Sequence, residues 1–476
     1  MNYLGFIKIS TVALLVGIVG CRSSRQVVAN TGRPMPGAFA SVADTGNSVT
    51  VNWKEFFNDK YLAQLADSAL ANNWDAKIAL QRIEVVRADV LLNKGAMVPA
   101  VRAIAAGGMN KYGAYTMDGA GNMTTPIYDG RIIPDDLPKY VVGLQAAWEV
   151  DVWGRLKNRK KASLARFLAS VEGKNVVLTN LIAEVAGGYY ELLSLDAQLA
   201  IVNETITLQE NALEIVKVQK EVAVVNELAV EQFEAQLIGL RSMKLEIEMQ
   251  INEQENKINI LAGRNPQSIP RDKRGLADML PTKVKTGIPI ALLQNRPDIR
   301  LAEAELVATK ADIRAARAAF YPSLSITAGV GFEAFKTSLL FTTPQSLAYN
   351  FLGGLAAPLI NRSALKAELR RANASQQEAL LNYRKTIAKG YNEVYTEMQR
   401  IDNLEKIYDL RAKQVATLTK SIETSSELFK MGRSSYLEVL ITQQNALQSK
   451  LERVTTRKKQ FQSTVNIYKA LGGGWR

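Results

Sequence analysis

The feature that most constrains the fold is a run from Leu156 to about Val222 that contains no proline. Its only glycines are Gly173, Gly187 and Gly188, so nothing in the run forces a helix to end. At 1.5 Å per residue, a helix of this extent is roughly 100 Å long. Helices of globular domains average about three to four turns. The run therefore indicates a spacer or a duct that crosses a compartment.

Apolar residues recur along the long helices at steps of three and four. In the first run they are Leu178, Leu181, Val185, Tyr189, Leu192, Leu195, Leu199, Val202 and Ile206. Near the end of the chain they are Leu437, Leu440, Leu447, Leu451, Val454, Phe461, Val465 and Tyr468, with Gln444 and Lys458 at two further positions of the seam. This spacing is typical of helices that pack as coiled coils.

The chain also contains an internal duplication, because each half has the order helix, strand, loop, strand, long helix, break, long helix. Short segments recur in both halves: Ala88-Asp89 with Ala311-Asp312, Pro99 with Pro322, and Leu261-Ala262-Gly263 with Leu471-Gly472-Gly473. We therefore predict two structural repeats, at 53–263 and 291–471. A connector at 264–290 joins them, and a tail at 472–476 follows.

We predict the same elements in both repeats. The first has a helix at 53–97, strands at about 101–112 and 140–153, and long helices at 156–222 and 227–262. The second has a helix at 291–320, strands at about 323–333 and 347–360, and long helices at 363–431 and 434–471. The predicted fold class is mixed but mainly α, with a long helical coiled-coil barrel continuous with a transmembrane β-barrel to which each chain gives four strands.

The barrel prediction depends on alternation within the strands. From Tyr140 to Trp153 and from Leu324 to Phe332, apolar side chains alternate with small or polar ones. A membrane barrel has this pattern, although a half-buried soluble sheet has it too. Four strands cannot close a barrel, and lipid offers no hydrogen bonds to an open sheet edge. Further copies must therefore complete the sheet, and this argument alone permits two, three or four copies.

The N-terminus has the pattern of a bacterial export signal. Residues 1–20 combine Lys8 with an apolar stretch that is too short to span a bilayer. Cys21, the single cysteine, follows in a segment that resembles a lipobox, in which the cysteine becomes the lipidated first residue. We predict lipidation at Cys21, and the alternative is a plain signal peptide. Residues 21–52 are rich in Gly, Ser, Thr, Asn and Pro, which is typical of a tether.

Composition excludes several classes of function. With no histidine and one cysteine, the chain has no histidine catalysis, no histidine-ligated zinc and no internal disulfide. No catalytic constellation is present, so we predict no enzyme, no cofactor and no metal site. The formal net charge of +13 indicates solvated helix faces rich in Lys and Arg. The densest basic run, 155–161, has no aromatic residue, which argues against nucleic acid as a partner.

Several segments along nearly the whole mature chain together resemble the TolC superfamily. They are Ala69-Leu70 with Asn72-Asn73, Glu149 to Arg155, Ile288-Pro289, Arg296 to Arg300, Ala319 to Leu324, and Leu471 to Trp475. The chain is similar to the lipidated outer membrane factors of drug and metal efflux systems. The resemblance implies a homotrimer, with a twelve-stranded barrel in outer-membrane lipid and a twelve-helix tunnel in the periplasm. It also implies a periplasmic adaptor and an inner-membrane RND-type transporter as partners.

In the family the two breaks between long helices form the periplasmic entrance. The resemblance implies that Gly432, Arg433 and Ser434 dock onto the adaptor. Ala223 and Val224 of the first break are further docking candidates, although Ala223 departs from the family's glycine. The alternative for both breaks is ordinary turn chemistry.

Two further residues are candidates for the entrance gate. Glu438 matches an acidic position at the family's constriction, where three copies would form a carboxylate ring. Some relatives have a second acidic residue where this chain has Ile441. We therefore expect the closed entrance to depend partly on apolar contacts near Ile441, whereas a solvated helix charge is the alternative role of Glu438.

The function expected from these features is a passive exit duct for small molecules. One alternative is the exit duct of a protein-secretion system, which has the same fold and a different cargo. A second is a structural lipoprotein that bridges the envelope without a pore, although this leaves the paired alternating strands unexplained.

Overall fold

A computed structural model describes residues 52–126, 130, 132–133, 135–272, 276, 279, 281–282, 289–360 and 362–475. The predicted signal peptide, Cys21, all of the tether except Asn52, and part of the connector lie outside these residues. The first repeat contains α1 Trp53–Phe57, α2 Lys60–Asn72, α3 Trp74–Gly95, β1 Ala100–Lys111, α4 Met117–Thr124, β2 Asp136–Val150, α5 Arg155–Glu221 and α6 Glu227–Leu261. The second contains α7 Leu292–Asn295, α8 Pro297–Ala318, β3 Ser323–Ala334, β4 Leu347–Ala356, α9 Ser363–Lys430 and α10 Tyr436–Ala470, with 3-10 turns at Pro289–Ala291 and Thr337–Leu339.

The long helices form a layer in which α5 is central. On one side α5 packs against α3 and α6, and on the other it packs against α8 and α10, which both pack against α9. Its core residues include Val185, Tyr189 and Leu192, each fully buried. The Tyr190 ring stacks on that of Phe461 from α10, with 4.5 Å between centroids. The apolar seams of the sequence thus become contacts between the two repeats.

The start of helix α3 meets the end of the long helix α6, and the start of α8 meets the end of α10 in the same way. The Asn73 side chain, at the start of α3, donates a hydrogen bond to the Leu261 carbonyl at the end of α6 (2.9 Å). Gly263 then turns the chain with φ 61°, and a Cβ there would lie 2.5 Å from the Asn72 carbonyl oxygen. Only glycine fits this close approach.

The second repeat makes the corresponding joint with a buried arginine. Arg296, before α8, donates to the Ala470 carbonyl at the end of α10 (2.7 Å). It also pairs with Asp298 (2.7 Å) and Glu393 (2.8 Å). Burial by itself lowers the pKa of Arg296, but the two carboxylates outweigh it and raise that pKa above its usual value. At this joint a Cβ on Gly472 would lie 2.5 Å from the Asn295 carbonyl oxygen, so Gly472 corresponds to Gly263. The pairing of Gly263 with Gly473 made from the sequence is therefore wrong by one residue.

The predicted single helix at 53–97 is wrong, because three helices occupy this segment. Asn58 has a left-handed backbone (φ 46°) that ends α1. The Asp59 carboxylate then accepts hydrogen bonds from two N–H groups of α2, at 2.8 and 3.0 Å. In the same way Asn73 accepts from the Ala76 N–H at 2.9 Å. Such side chains satisfy the free N–H groups of a new helix, so each begins one.

Other boundaries differ for local reasons. The predicted helix at 291–320 is divided before Pro297, whose preceding residue is extended. The last helix begins at Tyr436 rather than 434, because Ser435 is its N-cap. The predicted strand at 140–153 runs from Asp136 to Val150 and ends where the chain turns toward Gly154 (φ 74°). Strand β4 ends at Ala356 rather than 360, and α4 lies in a segment predicted as loop.

The four strands form one antiparallel sheet in the order β1-β2-β3-β4. In the pairing, Ala103 lies opposite Leu144, which lies opposite Val330, which lies opposite Tyr349. Strands β1 and β4 are the edges. Among the described residues, none of the helices is both long enough and apolar enough to cross a membrane.

Candidate functional site

The sheet has one apolar and one polar face. Strand register places the following side chains on the apolar face: Val101, Ala103, Ala105, Val142, Leu144, Ala146, Trp148, Leu324, Ile326, Ala328, Val330, Phe332, Leu347, Tyr349, Phe351 and Leu355. Large members are exposed, with Tyr349 83% and Phe351 74% accessible. An apolar surface this exposed is unfavourable in water and favourable in lipid.

Aromatic side chains lie where this face meets the helices. The Trp153 ring stacks on Tyr321, with 4.9 Å between centroids. The Trp153 N–H donates to the Pro322 carbonyl at 2.7 Å, and that of Trp148 donates to the Met97 carbonyl at 3.1 Å. Aromatic residues with a satisfied polar end are typical of the boundary between lipid and water. Their position at the helical end of the sheet matches the aromatic girdle expected where a membrane barrel meets water.

The opposite face carries polar side chains such as Gln145, together with glycine, alanine and a few larger apolar residues such as Ile104 and Leu352. A Cβ on Gly143 would lie 2.5 Å from the Val330 carbonyl oxygen, and one on Gly331 would lie 2.4 Å from that of Val142. Such close approach between neighbouring strands permits only glycine and fits a sheet that curves toward this face. Arg102 lies on the same face. A polar inside and an apolar outside are the arrangement of a membrane barrel with a wet lumen.

The two breaks, named here the first tip (222–226) and the second tip (431–435), have the same backbone. Ala223 and Gly432 both take the left-handed conformation, with φ 59° and 69°. The N–H of Val224 then donates to the Gln219 carbonyl, and that of Arg433 donates to Leu428, both at 2.8 Å. A residue of this conformation, bonded in this way, ends a helix in a tight reversal. Both tips therefore have the same helix-ending turn, although the first has alanine where the second has Gly432.

The next helices begin with different caps. Asn226 accepts a hydrogen bond from the Ala229 N–H (3.2 Å). Ser435 accepts from the Glu438 N–H (3.4 Å), and the Glu438 carboxylate accepts in return from the Ser435 N–H (3.1 Å) and from the Ser434 hydroxyl. These bonds from Ser434 and then Ser435 lower the pKa of the Glu438 carboxyl below its usual value. Glu438 therefore stays ionised and holds the second tip as half of a capping box.

The other gate candidate, Ile441, has a partly exposed side chain. Ile441 lies 48% exposed on α10, while its neighbour Leu440 is buried in a hydrophobic cluster formed mainly by residues of the first repeat. Glu438 and Ile441 are three residues apart, so they share one face of α10. The structure thus brings both gate candidates together on an accessible surface.

Sequence reasoning missed the joints at Asn73 and Arg296 and the position of Arg102. The sequence did indicate the position of Arg102, because this charged residue alternates with Val101, Ala103 and Ala105. The alternation in the rest of that strand is weak. No group of three His, Cys, Asp or Glu residues in the described part of the chain is placed to hold a metal ion.

A family model for outer membrane efflux proteins matches residues 65–264 and 288–473. The chain belongs to the outer membrane efflux protein family. This efflux protein is 28% identical to the probable outer membrane lipoprotein SilC of Salmonella typhimurium, over 100% of both chains. It is 30% identical to the solvent efflux pump outer membrane protein SrpC of Pseudomonas putida, over 89% of this chain and 87% of the relative.

Solved structures agree with this assignment. A crystal structure of CusC superposes with a TM-score of 0.82 and 27% identity, over 93% of this chain and 98% of that one. The open state of the MtrE channel of Neisseria gonorrhoeae superposes with a TM-score of 0.81 over 95% and 98% of the two chains, and its 23% identity shows the fold alone. The predicted fold class and superfamily are confirmed. The efflux protein is a channel of the outer membrane with its helices in the periplasm, and it is not an enzyme.

Proposed function

We propose that three copies of this efflux protein form one passive duct, which carries small molecules from a periplasmic adaptor and an RND-type inner-membrane transporter to the outside. The observation that carries the proposal is the four-stranded sheet with one apolar face and two open edges. Lipid cannot satisfy the free N–H and C=O groups of β1 and β4. Three copies close a barrel of twelve strands by pairing β1 of one copy with β4 of the next.

The helical layer supports the same assembly, because its two edges are also open. Helix α9 has five buried residues among 68, whereas the central α5 has 22 among 67. Its exposed apolar side chains include Leu381, Tyr395 and Leu410. The opposite edge, α3 and α6, exposes Ile78, Val85, Leu92, Ile238 and Leu245. Two apolar edges on opposite sides of one layer fit a ring in which each copy packs against the next.

Cys21 is the proposed lipid anchor. The relative that matches over its full length carries the word lipoprotein in its name. Several acyl chains, at about 0.8 kcal/mol per buried methylene, hold a protein firmly to a membrane. Cys21→Ser should abolish lipidation of the N-terminus, which mass spectrometry of the mature chain detects. A variant that still carries the mass of the acyl chains would contradict the assignment.

At the tips, Gly432, Arg433 and Ser434, with Ala223 and Val224 of the first repeat, are proposed to dock onto the adaptor. The shared reversed backbone supports two docking elements per copy, so that three copies present six. The relatives' names span cations, solvents and antibiotics at similar identity. This breadth supports a duct whose cargo is set by the transporter.

The duct is tested by reconstituting the full-length protein in planar bilayers. We expect a trimer by native mass spectrometry and a small conductance that rises when the entrance is disturbed. Ile441→Ser should raise single-channel conductance, because it removes an apolar contact proposed to hold the entrance closed. The matched control is Val222→Ser, which removes an exposed apolar side chain at the first tip. A monomer that conducts no ions in either variant would favour a structural lipoprotein instead.

A further inference from the structure

Charge on the polar face of the sheet is unevenly balanced. On the described strands, Lys139 pairs with Glu333 on this face (2.9 Å), and Glu149 pairs with Arg155 just beyond the strand (2.5 Å). Arg102 differs, because its Nε and Nη2 atoms donate to the neutral Gln145 amide oxygen, at 2.9 and 2.5 Å. Its positive charge is therefore held in place without being neutralised.

Strand register shows which residues surround this charge. Arg102 lies opposite Gln145, Gln145 opposite Gly329, and Gly329 opposite Asn350, so these four residues form one row across the sheet. The row has a cation, two amides and a glycine, and it contains no carboxylate. Solutes that pass this row therefore meet a guanidinium and amides, which can donate hydrogen bonds to anions.

We propose that Arg102 is a selectivity residue of the duct, and that three copies of it form a cationic filter in the barrel lumen that favours anionic solutes such as carboxylates and phosphates. The inference rests on the proposed trimer, which makes the polar face the lumen. It concerns which solutes pass and not whether the protein conducts.

The size of the barrel makes the filter effective. Twelve strands spaced about 4.8 Å apart and tilted about 40° give a backbone radius of about 12 Å. The Debye length at physiological ionic strength is about 8 Å. Because the arginine side chains extend inward from the wall, a solute in the lumen passes within about one Debye length of their charges.

The filter also contrasts with the other end of the duct. The proposed entrance presents Glu438, a carboxylate, whereas the sheet presents Arg102 at its helical end. A cation therefore meets attraction at the entrance and repulsion in the barrel, and an anion meets the reverse order. Removing the charge of Arg102 should shift ion selectivity toward cations, and removing the charge of Glu438 should shift it toward anions.

The test is the reversal potential of multichannel planar bilayers under a KCl gradient with full-length protein. Arg102→Gln should lower the ratio of chloride to potassium permeability by about threefold, and by more in low salt, because screening weakens with dilution. Gln145→Glu, which places a carboxylate beside the guanidinium, should shift the ratio in the same direction. Arg102→Lys, which keeps the charge, should leave it near the wild-type value.

The matched control is Lys60→Gln, the same loss of charge at an exposed residue of α2 away from the sheet. Conducting channels whose permeability ratio is the same in wild type, Arg102→Gln and Gln145→Glu would overturn the filter while leaving the duct intact. Equal shifts in Arg102→Gln and Lys60→Gln would also overturn it, because the effect would then follow net charge alone. Absence of conductance in every preparation would contradict the duct itself, and the filter with it.

Discussion

The first and second tips reverse the chain with the same backbone but depend on different side chains. The first tip is packed, since α5 and α6 meet there around Phe233, which is 1% exposed. The second tip packs Phe429 and Tyr436 against the same cluster and adds the capping box of Ser435 and Glu438. Leu440 of the second repeat also packs into the first tip's cluster. Duplication has therefore kept the geometry of the turn while the interactions that stabilise it have diverged.

This difference suggests a division of roles between the tips. The buried cluster lies mainly in the first repeat and resists displacement, whereas the exposed capping box of the second tip can be loosened by a partner or by a change of charge. Both gate candidates, Glu438 and Ile441, belong to the second repeat. We therefore expect the second tip to respond to docking and the first to support it.

The largest effect on the two tips is expected from a substitution in the hydrophobic cluster that both of them contact. Phe233→Ala should destabilise the first tip by about 3 kcal/mol, because a buried aromatic side chain leaves a cavity. It should also loosen the start of α10, since Leu440 contacts the same cluster. Hydrogen exchange at both tips measures the effect, with Leu208→Ala as an exposed control (50% accessible). Loosening confined to 206–240 would show that the tips are independent.

The second prediction concerns the glycine turn itself. Gly432→Ala should destabilise the second tip by about 1 kcal/mol, because a Cβ disfavours the left-handed backbone and only part of that cost is offset in the unfolded chain. A Cβ at Gly432 would meet no atom within 4 Å, so the effect is one of conformation and not of collision. Hydrogen exchange near Met431 should rise, and unchanged exchange there would refute the conformational argument.

The third prediction is the reverse change at the first tip. Ala223→Gly should stabilise that tip by about 1 kcal/mol, since alanine already takes φ 59° there. If the two backbones are equivalent, this gain should mirror the loss in Gly432→Ala. Local exchange near Val222 is the measurement, and a destabilised tip would mean that the methyl group of Ala223 makes a contact that outweighs its strain.

The smallest expected effect is that of pH. The pKa of Glu438 is lowered in the folded state by bonds from Ser434 and Ser435. Its contribution to stability is therefore complete above the unfolded value of about 4.3 and is lost as pH falls through the folded pKa. Exchange protection at Ser435, corrected for the intrinsic rate, should fall in this acid range. Glu438→Gln should remove that dependence, and the first tip, with Ala229 at the matching position, should lack it.

Much of the fold could be predicted because its signals are local. Residues 155–221 are a single helix of 67 residues, as the absence of proline between Leu156 and Val222 predicts. The alternation from Leu324 to Phe332 indicated a strand whose two faces differ. The helix ends within 53–97 were also signalled locally, by Asp59 and Asn73, but the prediction did not use those caps. The Ala223 turn had no such signal, because alanine seldom takes a left-handed backbone.

The sequence by itself determined the long helices, the two-faced strands and the order of both repeats, since periods of 3.6 and 2 residues depend only on neighbouring positions. Tertiary structure alone decided the joints, because the bonds from Asn73 to Leu261 and from Arg296 to Ala470 span 188 and 174 residues. It also decided that Arg102 lies opposite a neutral amide. Partners so distant in the chain leave no periodic pattern, so only the packed layer shows which side chains meet.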